Sequence, residues 1–336
     1  MGRRPTLHEV ANLAGASLAS TSRALNGNGA SPEMIEKVQA AAKRLGYYPD
    51  AAGRSLRMGR TFQVGFAVAD IGNPVYVDMM KAIHEVVGPQ GYHVVVATTG
   101  NDVTSTADVI RALSSGVVDG LVISPLRSNE ALAQQMEHAP IPVVVIGRVA
   151  EGTTLDSVWA DSAAGIGMAV DQLVGAGRRR LLFLNGPLGT TPASRRLQGF
   201  DAAVARHGLP LLGMLVADDF TVEAGTRAVD SLLDDGAAER PDAIVAANDL
   251  LAIGCIQALR RRHLSVPRDV AVTGMDDTEI AAVFSPSLTS VALGSRERGK
   301  AAAELLLRRI GGEQGPAQRV HVAPRLVVRE SSGGPA

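Results

Sequence analysis

Cysteine occurs once in the 336-residue chain, at position 255. A lone cysteine closes no intramolecular disulfide and builds no Cys-based metal site, which fits a reducing compartment. Long apolar runs are also missing. No stretch approaches the roughly 20 residues that cross a bilayer, and the N-terminus lacks a hydrophobic signal region, so a cytoplasmic protein with no membrane partner is expected. Chemistry-bearing motifs are equally scarce. There is no Gly-x-x-x-x-Gly-Lys-Ser/Thr phosphate loop and no His-Glu-x-x-His, and the histidines are scattered. Gly165-Ile166-Gly167 opens onto a helical pattern but lacks the third glycine of a dinucleotide fingerprint. These absences argue against an enzyme and give no reason to expect a cofactor or metal.

What the chain does carry begins at its N-terminus. Thr6 to Asn26 reads TLHEVANLAGASLASTSRALN, two short helical patterns broken at Ala14-Gly15-Ala16, the layout of a helix-turn-helix. Thr6 and Glu9 form a capping box that starts the first helix at Leu7, with Leu7, Val10 and Ala11 as its apolar face. Gly15 supplies the permissive backbone of the turn, and Ser17 caps the second helix, Leu18 to Leu25. Ser31 with Pro32 opens a third helix whose Ile35, Val38, Ala41, Ala42 and Leu45 share a face, closed by Gly46. Residues 1 to 61 hold nine Lys/Arg against four Asp/Glu, whereas the remainder holds 24 against 30. A basic excess is usually a solvated surface, but here it coincides with the second helix and points to double-stranded DNA as a partner.

From Phe62 onward apolar runs alternate with amphipathic segments, which predicts parallel sheets. One series is Val64 to Ala69, Val94 to Ala97, Val118 to Ser124 and Val143 to Ile146. A second is Leu181 to Leu184, Met214 to Ala217, Ala243 to Ala247 and Val270 to Thr273. Two lobes are implied. Ligands bind beyond the carboxyl ends of such strands, and two facing lobes bring those ends to opposite walls of one cleft. Polar residues stand at several of the ends: Asp70 with Asn73 after the first run, Asn248-Asp249 after the seventh and Asp276-Asp277 after the eighth. The competing reading of Asp70, Asn248 and Asp276, each taken singly, is as a cap of the next helix. Arg196 stands in a basic run and reads equally as a surface charge, Phe220 as core, and Trp159 as packing.

The order of helix-turn-helix, third helix, Leu45-Gly46-Tyr47-Tyr48-Pro49 and a leucine-bearing segment around Leu56 resembles the LacI/GalR family of bacterial regulators over the whole chain. The resemblance implies an all-α helix-turn-helix headpiece (1–49), a hinge helix (50–61) and an α/β periplasmic-binding-protein-like core of two parallel-sheet lobes. The lobes are 62–161 with 292–321, and 162–291 with 322–330. The chain would cross between them near Asp161-Ser162, Val291-Ala292 and His321-Val322. Residues 331–336, Ser-Ser-Gly-Gly-Pro-Ala, are disordered by composition. No leucine heptad follows Arg329, so a homodimer on a near-palindromic operator is expected. The family pattern V-S-x-x-T-V-S-R appears here as Ala16 to Arg23, and the usual hinge Asn and Ala are Asp50 and Gly53. Gly53 weakens the hinge helix by roughly 1 kcal/mol relative to alanine.

The resemblance also assigns roles. Arg196 corresponds to the family's effector-binding arginine, Asn248 and Asp276 to its polar partners, and Phe220 to an aromatic that stacks on the effector; Asp70 and Asn73 complete the set, with Arg148 and Asp161 as further candidates. An arginine fork with carboxylates suits vicinal hydroxyls, and an aromatic ring suits a sugar's C-H face. A sugar inducer is therefore the first reading; a nucleobase or sugar-phosphate corepressor and a transcriptional activator are the alternatives. On DNA, Leu18 and Ala19 reach base edges and thymine methyls, Arg23 and Ser20 carry polar readout, and Thr6, Ser17, Ser22 and Asn26 bond phosphates. Burial of Leu18 against the first helix is the competing reading. Leu56 is the wedge that enters the minor groove and kinks the duplex. Leu56→Ala is accordingly expected to weaken operator binding and to reduce DNA bending in a phased gel-shift assay; unchanged bending would place the wedge elsewhere.

Overall fold

The computed structural model describes residues 5–25, 29–48, 58–210, 212–234 and 240–334. Residues up to Thr61 and from Phe62 onward form two compact units. Leu56, Asn26, Asp50 and Gly53 lie outside the described residues.

The first unit holds helices α1 (Leu7–Ala14), α2 (Leu18–Leu25) and α3 (Pro32–Leu45). The capping box closes as expected. Thr6 N donates to Glu9 Oε2 at 2.7 Å and Glu9 N donates to Thr6 Oγ1 at 3.4 Å. Gly15 ends α1 in the left-handed region (φ 62°), where the chain turns into α2. Val10, Ala24, Val38, Ala41 and Ala42 form the core of this unit, with Ile35, Leu45 and Tyr47 against it. Such a small core depends on apolar residues from all three helices.

In the second unit, β1 (Gln63–Val68), α4 (Pro74–Val87), β2 (His93–Thr98), α5 (Val103–Ser114), β3 (Gly120–Ser124), α6 (Glu130–Glu137), β4 (Val143–Ile146) and β5 (Asp156–Ala160) build the first lobe. The second lobe follows with α7 (Ser162–Gly175), β6 (Leu181–Asn185), α8 (Thr191–Arg206), β7 (Met214–Val216), α9 (Val222–Asp234), β8 (Ala243–Ala246), α10 (Asp249–Arg261), β9 (Ala271–Met275), α11 (Glu279–Val283) and β10 (Thr289–Ala292). The chain then returns α12 (Ser295–Ile310) and β11 (Arg319–Val322) to the first lobe and ends in β12 (Arg325–Val327) of the second. The sheet orders are β11-β5-β4-β3-β1-β2 and β12-β10-β9-β8-β6-β7, the same winding twice. All pairs are parallel except β10 with β12. Ala302, Ala303, Leu305 and Leu306 of α12 pack into the first lobe's core beside Phe66, Met79 and Ile83.

The expectation of a disordered 331–336 tail is corrected for residues 331–334. Glu330–Ser332 form a single 3-10 turn, and Ser331 and Ser332 are buried. Ser331 Oγ donates to Val272 O (2.6 Å) and accepts from Thr289 N (2.9 Å), while Ser332 Oγ bonds Thr289 Oγ1 at 2.8 Å. Composition misled because these hydroxyls satisfy buried backbone groups of the sheet, an interaction that hydropathy does not register.

Helices α9 and α10 meet through glycines. A Cβ on Gly254 would lie 2.1 Å from Val222 O and 2.7 Å from Thr226 N, both backbone atoms that cannot swing aside. Thr226 Oγ1 donates across the same contact to Gly254 O at 3.2 Å. Gly254→Ala is expected to lower the denaturant midpoint, with a loss of about 2 kcal/mol or more. Gly175→Ala, at a helical site with nothing within 4 Å, should be neutral or slightly stabilising.

Candidate functional site

Two surfaces carry the polar residues singled out by the sequence, one in each unit. In the first, α2 turns Leu18, Ala19 and Arg23 to solvent, with Leu18 41% exposed. Leu18 is therefore not consumed by the core, where Ala24 and Val10 are already buried. Ser17 caps α2 by accepting from Ser20 N at 3.1 Å, and its hydroxyl donates to Ser20 Oγ at 2.9 Å. Ser20 and Ser22 are half-buried, and Thr6 is engaged in the capping box. A short helix thus presents a small apolar pair at its start and a cation in its last turn.

The second surface is the cleft between the lobes. Because both sheets wind the same way, the ends of β1 and β3 face those of β6, β8 and β9 across it, at the switch points where such sheets take ligands. Asp70, Asn73, Arg196, Phe220, Asn248 and Asp276 all line this one cavity. Arg148 lines it too, and Asp161 stands behind Arg148 at 3.4 Å.

Each side chain is held by identifiable contacts. Arg196, on α8, is 8% exposed; its Nη1 donates to Ala247 O at 2.7 Å, and its Nη2 lies 3.8 Å from Asp276 Oδ1. Asp276 has φ 115°, a region that strongly favours glycine, so the backbone is strained where the carboxylate enters the cleft. Its neighbour Asp277 faces elsewhere, clamped by Arg329 at 2.7 Å and Arg325 at 3.4 Å. Phe220 lies so close to Gly186 that a Cβ there would come within 2.2 Å of the ring. Glycine at 186 is what lets the aromatic face the cavity.

The helix-cap reading also holds for two residues. Asn73 Oδ1 accepts from Val75 N (3.2 Å) at the start of α4, and Asn248 Oδ1 accepts from Leu251 N (2.9 Å) at the start of α10. Asn248 Nδ2 further donates to Phe220 O at 3.2 Å, so this amide positions the aromatic as well as the helix. Asp70 accepts from Gly72 N at 2.8 Å and is exposed at the cleft mouth.

Several lining residues escaped the sequence reading. Trp159, read from the sequence as packing, both packs and lines the cavity: Arg148 lies 3.4 Å over its ring, and the His321 ring lies tilted against it at 4.2 Å. Asp219, Tyr76, Ser124 and Arg298 complete the walls. The position of Asp219 beside Phe220 was a usable signal. Arg298, in Ser-Arg-Glu-Arg-Gly-Lys, reads as one more surface charge, and nothing local marks it. Burial pushes the Tyr76 hydroxyl above its ordinary value, and the Asp276 charge adds to this. Burial likewise raises Asp276, against the pull of Arg196 and Arg298, and lowers Arg298.

The lobes also touch at the cleft rim. Arg127, in the segment after β3, donates Nε to Asn101 O (2.9 Å) in its own lobe and Nη2 to Leu188 O (3.0 Å) in the other. Thr191 N donates to Leu126 O at 2.9 Å across the same gap. Among the described residues no His/Cys/Asp/Glu group is arranged to hold a metal ion, and no helix is long and apolar enough to cross a membrane.

A helix-turn-helix unit joined in one chain to a two-lobed, cleft-bearing α/β core defines a class of ligand-responsive DNA-binding regulators. Residues 6–50 match the model of bacterial regulatory proteins of the lacI family, and residues 170–332 match a periplasmic binding protein-like domain. The chain is 32% identical over 330 residues to the ribose operon repressor of Escherichia coli (strain K12), covering 97% of this chain and 99% of that one. It superposes on the lac repressor dimer bound to operator and the anti-inducer ONPF with a TM-score of 0.85 at 26% identity, covering 98% of this chain and 99% of that chain. A transcriptional regulator CelR in complex with cellobiose gives a TM-score of 0.71 at 32% identity, with 98% and 100% covered. The chain belongs to the lacI family of bacterial regulatory proteins.

Behind the cleft, Asp249 is 1% exposed, and burial, with the Asp276 charge second, raises its carboxyl to about 7. It accepts from Thr278 N and Oγ1, each at 2.8 Å, and from Ser290 Oγ at 2.5 Å, which partly offset the rise. Between the ordinary value of 3.8 and about 7, the folded protein keeps a proton that the unfolded chain releases. Stability therefore falls as pH rises through that window, by a few kcal/mol at most. Asp249→Asn should flatten the decline in denaturant midpoint between pH 4 and pH 7; an unchanged slope would show that Asp249 is ionised in the folded protein.

Proposed function

We propose that this chain is a sequence-specific transcriptional repressor, a homodimer on a near-palindromic operator, whose operator affinity is lowered by a sugar bound in the cleft. The arrangement of Arg196, Asp276 and Phe220 carries this reading. A buried guanidinium and a carboxylate 3.8 Å apart offer donor and acceptor to adjacent hydroxyls. An aromatic face held open by Gly186 suits the apolar side of a pyranose or furanose ring. The ribose operon repressor and the CelR–cellobiose complex support a sugar as effector class, and the operator-bound lac repressor dimer supports the DNA-bound dimer. Cytoplasmic residence on the nucleoid accompanies such a role.

The mechanism uses the contacts between lobes. A ligand filling the cleft changes the balance between open and closed lobes, which Arg127 and the Thr191–Leu126 bond now hold together. Only a ligand with different affinity for the two arrangements shifts operator binding.

Two reciprocal variants test the assignment. Arg23→Ala is expected to abolish operator preference over random duplex while leaving sugar-induced thermal shifts intact. Arg196→Ala is expected to keep operator binding and lose the sugar response, since it removes the guanidinium donors offered to the ligand's hydroxyls. Fluorescence anisotropy on operator DNA with and without pentoses, hexoses and disaccharides reads both. A normal operator footprint for Arg23→Ala or a retained response in Arg196→Ala would overturn the corresponding role, and a sugar that tightens operator binding would make it a corepressor.

A further inference from the structure

The cleft contains more positive charge than recognition of a neutral polyol requires. At its base, Arg196 and Arg298 both lie within reach of the Asp276 carboxylate, the exposed Glu297 acts on Arg298 from its own helix, and Tyr76 stands close enough to feel the charges of Asp276, Arg196 and Arg298. Arg196 is partly satisfied through Ala247 O, although its Nε has no partner. Arg298 is not. Its Nε is buried without an acceptor, and its guanidinium makes no hydrogen bond among the described residues. It projects from the first turn of α12, in the first lobe, into the cavity that Asp276 enters from the second.

The other acidic residues lining the cleft keep their charge but are held elsewhere, and neither Asp219 nor Asp70 is among the main charges acting on Arg298. Asp219 is turned onto its own backbone, accepting from Phe220 N at 2.7 Å. Asp70 does the same with Gly72 N at the exposed mouth. Asp161 is matched to Arg148. The base of the cleft therefore holds two cations and one anion, with Arg196 and Asp276 buried and Arg298 half-buried, its Nε out of reach of water. An arginine drawn partly out of water is stabilised by a group that meets its charge and its planar donors. A neutral polyol would give Arg298 hydroxyl acceptors but no counter-charge, whereas a carboxylate or phosphate supplies both and fits the guanidinium fork.

We propose that the effector carries an anionic group, a carboxylate or a phosphate on a sugar skeleton, and that Arg298 receives it. This rests on the reading of the cleft as a sugar site and narrows that class to acidic sugars or sugar phosphates. Hydroxyls of the same ligand then engage Arg196, Asp276 and Asn73, and the anion lies toward α12.

The test is isothermal titration of the full-length protein with matched series: ribose, ribonate and ribose 5-phosphate; glucose, gluconate, glucuronate and glucose 6-phosphate. In the wild type, at least one anionic member is expected to bind ten-fold or more tightly than its neutral parent, and the series showing the gain identifies carboxylate or phosphate. Arg298→Met, which keeps length and removes charge, should abolish that advantage, so that the anionic and neutral members of a series bind within about three-fold of one another. Arg298→Lys should retain part of it. Operator binding by both variants verifies that they fold. Neutral sugars binding as tightly as their anionic counterparts, or discrimination that survives Arg298→Met, would overturn the proposal and leave the sugar reading standing. Failure of every member of both series to bind would overturn the two together.

Discussion

Three passages of backbone join the two lobes, after β5, after β10 and between β11 and β12, and the behaviour of the core follows from that constraint. A single linker would let the lobes drift apart; three adjacent ones restrict them to opening and closing about one seam. The cleft walls can therefore change their separation without losing register. Each passage has its own local anchor. Asp161 caps α7, accepting from Ala164 N, where the first crossing ends. Gly294, with φ 66°, turns the second into α12. At the third, β12 pairs antiparallel with β10, which brings Arg325 and Arg329 onto Asp277.

The electrostatic design of the cleft depends on this geometry. Asp276 and Arg298 belong to different lobes, so their interaction strengthens on closure and weakens on opening, as do the Arg127 and Thr191 bonds at the rim. Asp277 illustrates how sharply side-chain direction is partitioned: one residue beyond Asp276 on the same strained turn, it is spent on the structural arginines of its own lobe. Adjacent identical residues thus serve separate ends because the backbone at both positions takes positive φ (115° and 52°).

The sequence was most readable where local chemistry decides structure. Thr6 with Glu9, Gly15 and Ser31-Pro32 each announce a helix boundary through a short-range interaction, and apolar runs such as Val143 to Ile146 announce buried parallel strands. Strands β5, β10, β11 and β12 were not legible as strands. They run to between three and five residues, mix polar with apolar side chains, and are strands because their neighbours supply hydrogen-bond partners. The cleft followed the same division. Asp70, Asn248 and Asp276 could be found because they interrupt apolar runs at strand ends. Arg298 could not, since its importance comes from the return of α12 to the first lobe, more than 130 residues of chain after that lobe's fifth strand. Ser331 and Ser332 were misjudged for a related reason: their partners Thr289 and Val272 are some 40 to 60 residues distant.

Interleaving the lobes in the chain also bears on how the protein is made. The helical unit of residues 6–48 draws its core from contiguous sequence and can condense as soon as it leaves the ribosome. Neither lobe has that freedom. The first waits for Ala302, Ala303, Leu305 and Leu306 to cover Val64, Phe66 and Ile83, and for β11 to cover the edge of β5. The second waits for Ser331 and Ser332 to close over Thr289. For most of translation, the nascent chain therefore exposes apolar sheet surface and an open strand edge, the features that recruit chaperones and promote aggregation. The cleft, lined by residues from Ala69 to Arg298, therefore sits between two lobes that are finished only by segments translated after its own lining residues.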